Sequence, residues 1–149
     1  MLPPMRPELF ELDTALLTAR TVVRRFRENE GSLLYDLFQA NRNLLLDNFP
    51  KTDRALASKE KAEYYIRQSI SDWMFHRDYV FGIWENDSAK LTGFIRLFHI
   101  DWDVPKGELA YFIDKDSGGK GYMTEALYAV VGMAMKRLNF SKLYIRTAA

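Results

Sequence analysis

The chain has no cysteine. Thiol catalysis, disulfide cross-links and cysteine-ligated metals are therefore excluded. Histidine is almost as scarce: His76 and His99 are the two, too few for a zinc site without a carboxylate cluster, and the sequence offers none, so no metal is expected. No stretch approaches the ~20 apolar residues of a membrane-spanning helix. The opening MLPPMRPELF lacks an apolar core of signal-peptide length, so a soluble, cytoplasmic protein without membrane contact is expected. Neither sign of charge dominates. Lys and Arg number 21 against 20 Asp and Glu, a formal charge of +1, and the signs are interleaved, which argues against direct nucleic-acid binding. Any anion site must be local. Glycine is sparse as well, 8 in 149 residues, yet three fall within GGKG at 118–121.

With 149 residues, 48% of them hydrophobic, the chain suits one domain with a real core over 1–149. Pro3, Pro4 and Pro7 make residues 1–7 a mobile lead-in. Residues 8–26 suggest a first strand or a bent pair of short ones. Over 28–50, Leu33, Leu34, Leu37, Phe38, Asn41, Leu44 and Leu45 share a helical face, which Pro50 should end. A polar turn at PKTD precedes a second amphipathic helix over 58–78, with Ala62, Tyr65, Ile66, Ser69, Ile70 and Trp73 inward. Strands follow at 79–85, 91–100 and 107–114, then a helix over 121–139 and a strand over 142–147. Strand 91–100 is apolar on both alternations, Ile95 and Leu97 against Phe94 and Phe98, so helices should cover both faces of the sheet. The predicted fold class is α/β with a mixed, mostly antiparallel sheet, the last helix linking a parallel pair.

The stretch GGKGYMTE at 118–125 admits three readings: a plain turn, a helix cap, or a loop whose bare backbone meets a phosphate. A dinucleotide-binding fingerprint is excluded because its third glycine would be Thr124, and a Walker A loop because Gly121 follows Lys120. What remains is a strand, an acidic turn, and glycines opening directly into a helix, which aims several N–H groups and the positive end of the helix dipole at one spot. Lys120 adds a charge.

The strand GELAYFID followed by GGKGYMTEAL resembles the acetyl-CoA motif of the GNAT N-acetyltransferase superfamily, in its RimJ/RimL-like branch. That superfamily's signature is Gln/Arg-x-x-Gly-x-Gly/Ala. Gly121 matches its central glycine, whereas Gly118 and Met123 depart from its other two positions. The resemblance implies acetyl-CoA as cosubstrate, held by backbone N–H groups across Gly118, Gly119, Lys120, Gly121, Tyr122, Met123 and Thr124 at its pyrophosphate. The pantetheine arm would pair with the edge of Tyr111, Phe112 and Ile113, in a cleft opened by splay of the neighbouring strands. The implied acceptor is a small-molecule or peptide primary amine, including a protein N-terminal amine; the alternative is a non-catalytic CoA-binding or regulatory module.

Acetyl transfer needs a neutral amine, an oxyanion donor and a proton for the departing thiolate. A backbone N–H of strand 109–113 is the family's oxyanion donor, and Glu108 is the candidate base. An ordinary Glu, with a pKa near ~4.3, requires burial or a water relay for that task. If the 101–106 turn is symmetric, Glu108 faces His99 across the hairpin. Trp73, Trp102 and Asp103 are candidates for the acceptor pocket or plain packing, His76 for the end of its helix, and Arg24 and Arg25 for surface charge. In the family a further helix and two strands follow the last strand here, carrying an Asn contact to CoA and usually a Tyr acid. The sequence ends at YIRTAA, so C-terminal truncation, completion by a partner strand, or a CoA binder without fast turnover each fit. The exposed edge of strand 142–147 predicts a homodimer.

Overall fold

The computed structural model describes residues 15–46 and 49–146; the expected lead-in and the last residues of the chain lie outside them. Six strands hydrogen-bond in sequential order, β1 (Ala15–Leu17), β2 (Thr21–Arg25), β3 (Tyr79–Glu85), β4 (Leu91–Asp101), β5 (Lys106–Ile113) and β6 (Lys142–Arg146). All neighbours are antiparallel except β5 and β6. That parallel pair is joined by α5 (Tyr122–Lys136), because a parallel connection needs a crossover and a helix supplies it. The bent pair expected at the start is the β1–β2 hairpin.

The helical stretch after it is broken more than its periodicity suggests. It resolves into α1 (Gly31–Ala40), α2 (Arg42–Leu45) and α3 (Pro50–Ala55), followed by α4 (Lys59–Met74). Pro50 opens α3 instead of ending the helix before it, and PKTD is helical, not a turn. Proline at a first helical position loses only an N–H that the helix start leaves unpaired anyway. Ser58 caps α4 by accepting from the Lys61 N–H at 3.1 Å. At the other end of the fold, Asn139 takes a left-handed φ of 56°, and the Phe140 N–H returns to the Ala134 carbonyl at 2.9 Å, closing α5 so that β6 can begin at once.

Helices do cover both sides of the sheet. Ile95, Leu97 and Leu109 pack with Ala126, Val130, Met133 and Ala134 of α5; Phe94 and Phe112 pack with Leu34, Phe38, Ala62 and Ile66 of α1 and α4. Phe112 sits in an aromatic cluster, 4.9 Å from the Phe38 ring and 5.6 Å from Phe94 between centroids. Burial of such a side chain contributes about 2–3 kcal/mol, and it clamps β5 between the layers. Among the described residues no helix is long and apolar enough to cross a membrane, and no group of three or more His, Asp or Glu could hold a metal ion.

Candidate active site

Strand β5 has two unlike halves. From Lys106 to Ala110 it pairs with β6 on one side, while β4 borders the whole strand on the other. From Tyr111 to Ile113 only β4 remains: Tyr111 lies opposite Ile95, Phe112 opposite Phe94 and Ile113 opposite Gly93. The strand thus has an open edge, among the described residues, over its last three positions. Pleat geometry turns the Phe112 side chain into the core, so its part in any cofactor contact is confined to its backbone, whereas Tyr111 and Ile113 are half-buried.

The open edge runs into a segment fixed at its head. Asp114 is buried, and its N–H donates to the Thr92 carbonyl at 2.7 Å. Its carboxylate accepts from Asn41 Nδ2 at 2.9 Å and pairs with Lys90 at 3.2 Å. Burial pushes the Asp114 carboxyl up, but the bonds from Asn41 and Lys90 outweigh it and hold the group below its ordinary range. Asn41 Oδ1 accepts the Lys115 N–H at 2.9 Å, and Thr92 Oγ1 meets Ser117 Oγ at 2.5 Å.

Beyond Ser117 the chain is exposed through Gly118, Gly119, Lys120 and Gly121. Gly119 and Gly121 have φ of 78° and 81°, left-handed values that cost an L side chain roughly 1–2 kcal/mol. Gly121 is the N-cap of α5, and no side chain caps that helix. Among the described residues the N–H groups of Tyr122, Met123 and Thr124, in its first turn, have no carbonyl partner within it. Unpaired donors and the helix dipole therefore converge where an anion would be stabilised. The Lys120 side chain is exposed beside them, while Met123 packs against the α5 core.

The loop leans on the first hairpin. Arg20, on the β1–β2 turn, donates Nη1 to the Lys120 carbonyl at 2.6 Å and pairs through Nε with Glu125 at 2.5 Å. Glu125 also accepts from Thr18 Oγ1 at 2.8 Å. Burial would raise the Glu125 carboxyl; the bonds from Thr18 and Arg20 prevail and keep it below its ordinary range. Sequence reading overlooked this contact, which spans about 100 residues, because nothing local to Arg20 announces it. Asn41 did carry a signal: it is a polar residue in an otherwise apolar helical stripe, and it is buried for its bonds to the loop head.

Glu108 lies in the closed half, on the face of α1 and α4, next to Ala110 where the edge opens. A bulge between Phe98 and Asp101 breaks the register, so Phe98 stands opposite Glu108 along the backbone. His99, at a left-handed φ of 50°, nonetheless brings Nδ1 to the Glu108 carboxylate. The turn is symmetric as expected, with Asp101 opposite Lys106, and the pair forms although the bulge moves His99 out of the position directly opposite Glu108. Near it, Arg96 binds Asp78 at 2.7 Å. Burial raises the Asp78 carboxyl against the opposing pull of Arg96. The Tyr65 hydroxyl is buried without a hydrogen-bond partner among the described residues, and burial pushes it up.

Trp73 and Trp102 pack within the fold. Trp73 meets Tyr79 and Phe81 edge-on at 4.9 and 5.0 Å. Trp102 donates to the His76 carbonyl at 2.8 Å and lies 5.4 Å from the Phe140 ring; Asp103 is exposed in its turn. The His76 ring contacts the Tyr79 hydroxyl at 3.1 Å, and its backbone N–H, not its ring, reaches the end of α4 at Trp73. Arg24 is not free surface charge: it binds Glu30 at 2.8 Å and stacks 3.7 Å from the Trp84 ring.

No curated protein sequence matches the chain. Solved structures do, at identities that speak to fold alone. A ribosomal-protein-S5-alanine acetyltransferase from Vibrio fischeri superposes with a TM-score of 0.81 at 19% identity, covering 89% of this chain and 73% of the other. An acetyltransferase from Salmonella typhimurium that modifies the N-terminal serine of ribosomal protein L7/L12 gives 0.74 at 17%, over 86% and 71%. RimL, a ribosomal L7/L12 α-N-protein acetyltransferase in complex with coenzyme A, gives 0.77 at 17%, over 87% and 72%. The profile of the acetyltransferase (GNAT) domain matches residues 20–149, and the chain therefore belongs to the GNAT acetyltransferase family.

Proposed function

We propose that this N-acetyltransferase takes acetyl-CoA as donor and a primary amine, in the form of a protein or peptide N-terminus, as acceptor. The observation that carries the reading is the edge of Tyr111–Ile113, open among the described residues, followed through the fixed turn at Lys115–Ser117 by the uncapped head of α5. The donor's pantetheine amides match the spacing of a strand edge. Its pyrophosphate matches the amides of Gly119 to Thr124, with Lys120 adding charge. Acetyl-CoA brings the acyl thioester; the chain brings orientation and proton handling.

Glu108 takes the proton from the incoming ammonium, directly or through a water, and His99 steadies the carboxylate for that role. A backbone N–H along 109–113 donates to the oxygen on which charge develops. The acceptor class rests on the relatives, whose names specify N-terminal serine, alanine or the L7/L12 α-amine. Among the described residues strand β6 is a sheet edge with Tyr144 and Ile145 exposed, and we assign it to self-association, checked by sedimentation across a concentration series; a monomer throughout rejects it.

Titration calorimetry with acetyl-CoA and CoA, followed by thiol release with peptides beginning in Ser or Ala and with small amines, tests the whole reading. CoA binding with peptide-dependent thiol release is expected. Absence of CoA binding overturns it, and binding without turnover on any amine assigns the chain to a non-catalytic CoA-binding role.

A further inference from the structure

We infer that Arg20 is the positioning residue that sets the glycine loop in its pyrophosphate-binding shape; this rests on the CoA reading above. The loop has little of its own to hold it. Gly118 brings no side chain, Gly119 has nothing within 4 Å of the place a Cβ would take, and the helix that follows has no side-chain cap. Yet Gly119 and Gly121 are both held at left-handed φ.

Arg20 supplies the missing constraint from another element. Its Nη1 holds the Lys120 carbonyl at 2.6 Å, and its Nη2 lies 2.9 Å from the position of a Cβ on Gly121. The guanidinium carbon stands 4.9 Å from the centre of the Tyr122 ring. Nε is locked on Glu125, whose carboxylate is fixed in turn by Thr18 Oγ1 at 2.8 Å and by the Arg20 N–H at 3.1 Å. One planar group therefore touches residues on both sides of the N-cap.

The consequence follows from the planarity of the peptide bond. In a trans peptide the carbonyl and the following N–H point in opposite directions. Tying the Lys120 carbonyl to Arg20 aims the Gly121 N–H, at the start of α5, away from Arg20. Lysine cannot reproduce this, because a single ammonium lacks the rigid fork that reaches a carbonyl and a carboxylate together.

The test compares two ligands, CoA and pantetheine, which shares the arm but lacks the pyrophosphate, each titrated calorimetrically into the full chain. In Arg20→Ala, CoA affinity should fall about tenfold or more while pantetheine affinity stays within about twofold. Arg20→Lys should show an intermediate loss confined to CoA, and it decides the matter if Arg20→Ala does not fold. Unchanged CoA affinity in the variants overturns the inference. A proportional loss of both ligands also overturns it, since that marks a general role in the fold. Failure of the unsubstituted chain to bind CoA is a separate result, one that strikes the CoA reading before any variant is made.

Discussion

The two halves of β5 do opposite jobs with the same backbone. Between Lys106 and Ala110 the strand is enclosed by β4 and β6, with β6 paired at every position, and what remains available is a side chain, Glu108. Between Tyr111 and Ile113 no partner lies on one side among the described residues, the Phe112 side chain is sunk in the core, and what remains available is the backbone. Enclosure yields a fixed carboxylate and exposure yields a fixed row of donors and acceptors. The junction between them is where an acyl group on a strand-like arm and a base would meet.

This division can be broken deliberately. Phe112→Ala should have the largest effect, about 3–5 kcal/mol of stability from the cavity left among Phe38, Phe49 and Phe94, read as a lower midpoint in denaturant; a loss below about 1 kcal/mol would remove the core role given to this side chain. Glu108→Gln should lower kcat about a hundredfold with CoA affinity unchanged, and an unaltered kcat rejects it as the base. The glycine series should separate backbone from side chain: Gly121→Ala loses about tenfold in CoA affinity, from left-handed strain and the Arg20 contact. Gly118→Ala, at φ −67° with its nearest neighbour 3.7 Å away, should change affinity by less than about twofold. Equal losses at the two sites would contradict the conformational argument.

The smallest effect is one of pH. Asp114 and Glu125 have folded-state pKa values below the reference 3.8 and 4.5, so their stabilisation is complete above those references and is lost as pH falls below them. Asp78, raised above 3.8 by burial, has the opposite sign: ionisation there disfavours the fold, and acid relieves it. Thermal melts between pH 6 and 3 should therefore fall on the acid side, and Glu125→Gln should flatten that limb. An unchanged slope would show that the loop anchor contributes nothing measurable.

Much of this was legible from sequence, and for local reasons. Strand β4 reads as doubly buried because Phe94, Ile95, Leu97 and Phe98 leave no polar alternation, and the glycine loop reads as a helix head because a strand and an acidic turn precede glycines that open into an amphipathic helix. Long-range geometry was not legible. Pro50 was expected to stop a helix because proline's tolerance at a first position depends on where the next helix starts, and Arg24 passed for surface charge because Trp84 and Glu30 reach it only after folding. The His99–Glu108 pair was expected from turn symmetry, which holds at Asp101 and Lys106, but the bulge that puts Phe98 opposite Glu108 was not legible.

Asn41 lies 73 positions before Asp114 and binds both its carboxylate and the amide after it. The Lys115 amide is thus sealed by a residue that is itself seated only when α1 has docked on the sheet. Solvent hydrogen exchange at Lys115 should then track opening of the α1 layer and not the faster fluctuations of the exposed glycines that follow. The loop head and α1 form one cooperative unit, so that disturbing either one is felt as a change in the order of the other.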